Sequence, residues 1–230
     1  MNELERRLLA GLLCAAASAP VAAAAVSSTF DTDADGWTVT SFADTSSIFT
    51  SPPLATGIAP SFNAAGGDPG GFISVLDPDD GWTYFVAPLP YLGDQSDKLG
   101  GALVFSLQQH INGGTIIATP GTVALRSGSL VLVHQAGAVP ASAPDWTSYG
   151  VALDAVHWRI AGTGAVATDA ELAQTLAALD GLFISAEFVT PVVEKTGLDS
   201  VSFVAPVPLP AAVWGLASAL GVLGLRRRRA

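Results

Sequence analysis

Hydrophobicity divides the chain into three parts. Residues 8–19 form one unbroken apolar run, residues 209–225 form another, and the long middle alternates short apolar stretches with glycine, proline and aspartate. In that middle part the apolar positions recur mainly with period two. Leu103, Phe105 and Leu107 alternate with Val104 and Ser106, the pattern of a strand with one buried face. Residues 72–76 and 82–86 are short runs of aromatic and β-branched residues around Asp77-Pro78-Asp79-Asp80-Gly81, which predicts strand, turn and strand. Residues 123–126 and 130–132 flank a glycine turn as a further strand pair, residues 28–30 precede an acidic turn and a strand starting near Trp37, and residues 51–71, rich in proline and glycine, read as a loop or sheet edge. Helical spacing is confined to one stretch of the middle. Thr168-Asp169-Ala170-Glu171 has the form of a capping box, and Leu172, Leu176 and Leu179 follow at helical intervals before Gly181.

Composition agrees with an all-β domain. The 24 glycines and 15 prolines among 230 residues favour many turns over a helical bundle. Charge narrows the partners. Between residues 26 and 206 only Lys98, Arg126, Arg159 and Lys195 oppose 18 acids, so the domain repels phosphate backbones and nucleic-acid binding is excluded as an expectation. The single cysteine, Cys14, lies in the first apolar run. The middle therefore has no disulfide, thiolate ligand or cysteine nucleophile.

Both ends read as addresses. Arg6 and Arg7, the apolar run and the alanines before Val26 predict a Sec-type signal peptide over residues 1–25, cleaved after Ala25. Leu13 precedes Cys14 where a lipobox wants a small residue, so lipidation is not expected. At the other end, the 17 residues 209–225 span roughly 25 Å as a transmembrane helix, just short of a ~30 Å hydrocarbon core. Arg226, Arg227, Arg228 and Arg229 follow and hold that end in the cytoplasm. The segment opens on Val207, Pro208, Leu209, Pro210 and Ala211. Motif, short apolar helix and arginine block, in that order over residues 206–230, resemble the PEP-CTERM family of bacterial sorting signals in its Val-Pro-Leu-Pro-Ala variant. The resemblance implies an exosortase-type membrane transpeptidase as partner, a membrane-anchored precursor, and delivery to the cell surface or exopolysaccharide matrix. A permanent tail anchor is the alternative reading.

A second resemblance covers residues 72–203. The order Trp82, aromatic strand, Ala87-Pro88, Tyr91-Leu92-Gly93, Gly100-Gly101 and Leu103-x-Phe105-x-Leu107, followed by Trp146, Trp158-Arg159 and the closing residues 198–203, is similar to the laminin B domain, also called laminin IV type A. Ile184-Ser185-Ala186 stands where that family usually has Ile-Arg-Ala. The resemblance implies a jelly-roll β-sandwich over residues 26–205, of the galactose-binding type, with one short helix and no catalytic residues. Jelly-roll carbohydrate-binding modules often hold calcium where first and last strands meet, and this chain has Asp31 and Asp199 at those ends.

The candidate chemistry is sparse. Asp31, Asp33 and Asp35 could supply carboxylates to calcium, or simply form an Asp-Gly turn. Asp31, Asp33 and Asp199 are the expected structural calcium ligands, with no other cofactor. Gly162-Thr163-Gly164-Ala165-Val166-Ala167 fits a dinucleotide pattern with Glu187 downstream, but the surrounding strands do not supply βαβ units. His110, His134 and His157 show no metal-binding spacing, and Asp77, Asp79 and Asp80 sit on one turn rather than across a cleft. Trp37, Trp82, Tyr84, Tyr91, Trp146, Tyr149 and Trp158 are either core or platforms for sugar rings. The expected function is a non-enzymatic adhesive or structural sandwich, in contact with exopolysaccharide or envelope glycans. A glycan-binding module and a glycan-active enzyme are the alternatives.

Overall fold

The protein is described by a computed structural model over residues 25–43, 49, 53–111, 113–117, 121–135 and 139–206. Apart from Ala25, the expected signal peptide lies outside the described residues, as do the sorting motif Val207 to Ala211, the apolar tail and Arg226 to Arg229. Among the described residues no helix is long and apolar enough to cross a membrane.

Strands follow one another with short connections. In chain order they are β1 (Val26–Ser28), β2 (Thr38–Phe42), β3 (Ala55–Ile58), β4 (Ser61–Gly67), β5 (Gly70–Leu76) and β6 (Trp82–Val86). Then come β7 (Ala102–His110), β8 (Thr115–Ile116), β9 (Val123–Ser127), β10 (Leu130–His134), β11 (Ala141–Ser142) and β12 (Thr147–Ala152). After β13 (Arg159–Ile160) and the helix α1 (Asp169–Ala177), the chain ends in β14 (Gly181–Ser185), β15 (Val189–Thr190) and β16 (Lys195–Val204). One sheet runs β11-β7-β16-β5-β4, with β1 on β16 and β12 on β7. The other runs β13-β10-β9-β14-β6-β2-β3, and β15 with β8 forms a small third pair.

The two large sheets face each other because their inward positions are apolar. Ile73, Leu103, Phe105, Leu107, Leu198 and Phe203 of the first meet Val39, Phe85, Leu125, Leu132, Leu182 and Ile184 of the second, and all are fully buried. Burying one such side chain contributes about 1.5–3 kcal/mol, so this layer dominates the stability of the fold. The turn at residues 77–81 leads from one sheet to the other instead of closing a hairpin. Residues 51–71, expected as a loop or edge, hold the edge strands β3 and β4. Pairing with β2 and β5 imposes those strands, since Ala64-Ala65-Gly66-Gly67 has little strand preference of its own.

The helix starts as its sequence predicts. Thr168 Oγ1 accepts the Glu171 N–H at 3.2 Å, and Glu171 Oε2 accepts the Thr168 N–H at 2.7 Å, a reciprocal capping box. Leu172 and Leu176 then face the core. Thr168→Ala is expected to lower stability by about 1 kcal/mol, read as a shift in a urea melt; an unchanged midpoint would show that the cap contributes nothing.

Candidate functional site

Strand alternation gives the first sheet a polar outer face. On β7, Leu103, Phe105 and Leu107 point into the core, which turns Ser106 and Gln108 outward. On β16 the register shifts between Asp199 and Ser202, and Ser200 sits at φ 52. This bulge places Asp199 opposite Ser106 while Val201 and Phe203 return to the core. Phe72 and Ser74 of β5 and Asn63 of β4 share the outer face. Their polar atoms are linked: Asn63 Nδ2 donates to Ser74 Oγ at 3.0 Å, and Ser106 Oγ lies 3.2 Å from Ser148 Oγ and donates to Asp68 Oδ2 at 2.9 Å. Trp146 closes over this strip, edge-on to Phe72 at 5.3 Å, with Nε1 donating to the Gly66 carbonyl at 3.0 Å. Gly197 makes the close packing feasible, since a Cβ there would stand 2.9 Å from Gln108 Cγ and 3.2 Å from the Phe72 ring.

At one end of the strip, acids gather. Asp199 is fully buried and accepts the backbone N–H of Asp68 and that of Ser200, the latter at 2.6 Å. Burial, with the neighbouring charges of Asp68 and Asp31, pushes its pKa up to about 6 against those two hydrogen bonds. Asp31 accepts the Thr29 hydroxyl at 2.7 Å. Asp33 takes a different part: it accepts the Asp35 N–H at 2.7 Å and closes its own exposed turn. Asp31 acts on Asp199 electrostatically, and so does Asp68. Its only sequence signal was a turn-forming Gly-Asp-Pro-Gly. Among the described residues no three acids or histidines already close round one point.

The aromatic candidates separate cleanly. Trp37, Tyr84, Tyr91 and Trp158 are buried to 2 % exposure or less, and Tyr149 stacks on Phe105 at 5.2 Å. These five are packing residues. Trp82 and Trp146 are half-buried; Trp82 leans on an aromatic cluster outside the second sheet containing Phe42, Phe49, Tyr84 and Phe183. Trp146 alone of the seven stands on the polar strip.

Other expected features change meaning in three dimensions. Gly162 and Gly164 take φ of 83° and 69° in the turn after β13. β13 is an antiparallel edge strand on β10, so the dinucleotide pattern is a tight turn and lacks the parallel strand it requires. His134 and His157, distant in sequence, lie with ring centroids 6.5 Å apart, and Asp154 Oδ1 is 2.5 Å from His157 Nδ1. Burial, aided by His157, pushes the His134 pKa down. His110 lines a small open cleft with Gln109, Ile111, Ser142 and Ala143. Asp79 accepts the Ser41 hydroxyl at 2.5 Å and the Gly81 N–H at 2.8 Å, while Asp77 accepts the Thr83 hydroxyl at 3.3 Å. Glu187 and Glu194 join them electrostatically, a convergence the sequence did not disclose. At 8 % and 1 % exposure, those two glutamates are too enclosed for a glycosidic oxygen to reach.

The family model for laminin B (domain IV) matches residues 84–214, more than half of the chain. The chain belongs to the laminin B family. Compared with curated proteins, it has no match. Among solved structures it is similar to the L4b domain of human laminin alpha-2, at 15% identity and a TM-score of 0.51, covering 59% of this chain and 80% of that one. It is also similar to the family 11 carbohydrate-binding module of the cellulosomal cellulase Lic26A-Cel5E of Clostridium thermocellum, at 14% identity and a TM-score of 0.43, covering 84% of this chain and 92% of that one. The first likeness supports the laminin-type β-sandwich; the second is too loose to bear on function.

Proposed function

We propose that this laminin B-type sandwich is an exported, non-catalytic adhesive or structural module of the cell surface or exopolysaccharide matrix. Family membership over residues 84–214 carries the reading. The burial of Glu187 and Glu194 supports the non-catalytic part, because paired acids at work on a glycoside need room for substrate and water. Delivery belongs to the termini: a Sec signal peptide ending at Ala25, and Val207 to Ala211 read by an exosortase-type transpeptidase with Arg226 to Arg229 held inside.

Glycan contact is the second reading, favoured by Trp146. A half-buried indole beside Asn63, Ser74, Ser106 and Ser148 offers an apolar ring face for a sugar next to hydroxyl and amide groups.

Intact mass and fractionation of the natively expressed protein, beside a chain truncated after Ala205, test the sorting. The expected result is loss of both terminal segments, wild type in the matrix fraction, and mislocalised truncated protein. Retention of Arg226 to Arg229 in the membrane fraction would reduce the tail to an anchor.

A further inference from the structure

The outer face of the first sheet continues past the polar strip to the end of β7 and the start of β16. Pairing sets Gly197 against Gln108 and Lys195 against His110, and residues directly opposite in antiparallel strands carry their Cβ atoms roughly 4.5–5.5 Å apart. An ammonium and an imidazole therefore stand side by side, His110 exposed and Lys195 half-buried. Of the four lysines and arginines between residues 26 and 206, Lys98 pairs with Asp97 and Arg126 with Asp180. Lys195 forms no ion pair among the described residues. The nearest acid on its own face of β16 is Asp199, four residues away and about 13 Å along an extended strand.

A cleft opens beside His110, where β11 meets the end of β7. Gln109, His110 and Ser142 line it, and its volume is about 180 Å³. Drug-sized pockets begin at about 300 Å³, so this one has the scale of a single sugar ring. Ser142 is exposed and lies opposite Gln109 in the parallel β11–β7 ladder. Gln109 is 1 % exposed, and its Nε2 is buried without a hydrogen-bond partner. Leaving a buried donor unpaired is costly, and a ligand oxygen entering the cleft satisfies it. Among the described residues no carboxylate lines the cleft.

This corner offers donors and positive charge in a domain where 18 acids face four bases. Net charge keeps an anionic chain off the rest of the surface, so a carboxylate is held here by short-range, charge-assisted hydrogen bonds. We propose, resting on the glycan reading of the Trp146 face, that Gln109, His110, Ser142 and Lys195 form a subsite for a uronic acid residue of an acidic glycan. The carboxylate meets Lys195 and His110, while Gln109 Nε2 and the Ser142 hydroxyl take ring and hydroxyl oxygens. Trp146 identifies the occupant as a sugar. It shares one loop with Ser142, closed by the Ala141 N–H donating to Thr147 Oγ1 at 2.8 Å, and its ring offers a platform for the next sugar along. The acid of that loop, Asp145, is exposed and does not line the cleft.

The test titrates the full-length protein with trigalacturonate and with its methyl ester, which has the same rings without the charges, and reads binding by calorimetry. The free acid is expected to bind about tenfold more tightly than the ester. Lys195→Met and His110→Ala, neither of them a core substitution, are expected to reduce that preference while leaving ester binding unchanged. Gln109→Leu, which removes the buried donor, and Trp146→Ala are each expected to weaken both ligands roughly fivefold. Equal affinity of the wild type for acid and ester would overturn the proposal, as would a preference undiminished in both Lys195→Met and His110→Ala. If Trp146→Ala still weakens both ligands in either case, the glycan reading stands without this subsite. If neither ligand binds, the subsite and the glycan reading fall together.

Discussion

Glu187→Gln is expected to raise the Tm at pH 8 by roughly 10 °C in calcium-free buffer and to leave it nearly unchanged at pH 4. Burial, then the charges of Asp77, Glu194 and Asp79, push the Glu187 pKa up from an ordinary 4.5 to about 9. The folded chain therefore keeps a proton that the unfolded chain has released. Its stability contribution is intact below pH 4.5 and is lost as pH rises towards 9. Each tenfold change in proton affinity corresponds to about 1.4 kcal/mol. Relaxation of the cluster absorbs part of that, which leaves on the order of 3 kcal/mol at pH 8. Glutamine is neutral in both states and escapes the loss. Glu194, pushed up to about 7 by burial and the charge of Asp77, adds to the same decline in the wild type. Thermal melts from pH 4 to 9 decide the matter: parallel curves for the two proteins, or a glutamine variant that is weaker at pH 8, would show that Glu187 is not held protonated.

Trp37→Ala should cost about 4 kcal/mol, a large share of the stability of an ordinary domain. Trp37 meets Phe30 and Tyr91 edge-on at 6.3 and 5.3 Å, and its Nε1 donates to Ser28 Oγ at 3.0 Å. Tyr91 in turn donates its hydroxyl to the Val201 carbonyl at 3.0 Å. The indole thus anchors β1 and the residues after it to the closing strand. Trp146→Ala removes a half-buried ring and is expected to cost about 1 kcal/mol, yet to reduce retention on exopolysaccharide in affinity electrophoresis at least fivefold. Equal melting losses for the two variants would contradict the division between packing and surface tryptophans. Unchanged retention with Trp146→Ala would remove the glycan reading from this face.

These effects differ in how far the sequence discloses them. The capping box at Thr168 and Glu171 and the turn at Gly128 between β9 and β10 depend on neighbours a few residues apart, and both form where residue type and spacing place them. Strand alternation at Leu103, Phe105 and Leu107 likewise marks the core face in advance. Asp33 and Asp68 mark the limit. Both lie in turn-forming sequence, yet only Asp68 meets Asp199, across 131 residues of chain. The β16 bulge makes that meeting, because it sends Asp199 to the outer face and restores Val201 to the core. Glu187, suggestive beside a glycine pattern when read along the chain, is instead acted on electrostatically by Asp77, Glu194 and Asp79.

Sequence by itself determined the all-β class, the capped helix and the acidic surface, because period, turn chemistry and charge are local or additive properties of a chain. Which tryptophan remains accessible, which acids share a buried space and which histidines face each other were decided only by the tertiary structure. Those relations depend on pairing register and on which sheet face each strand turns outward. A shift of one residue in either reverses them.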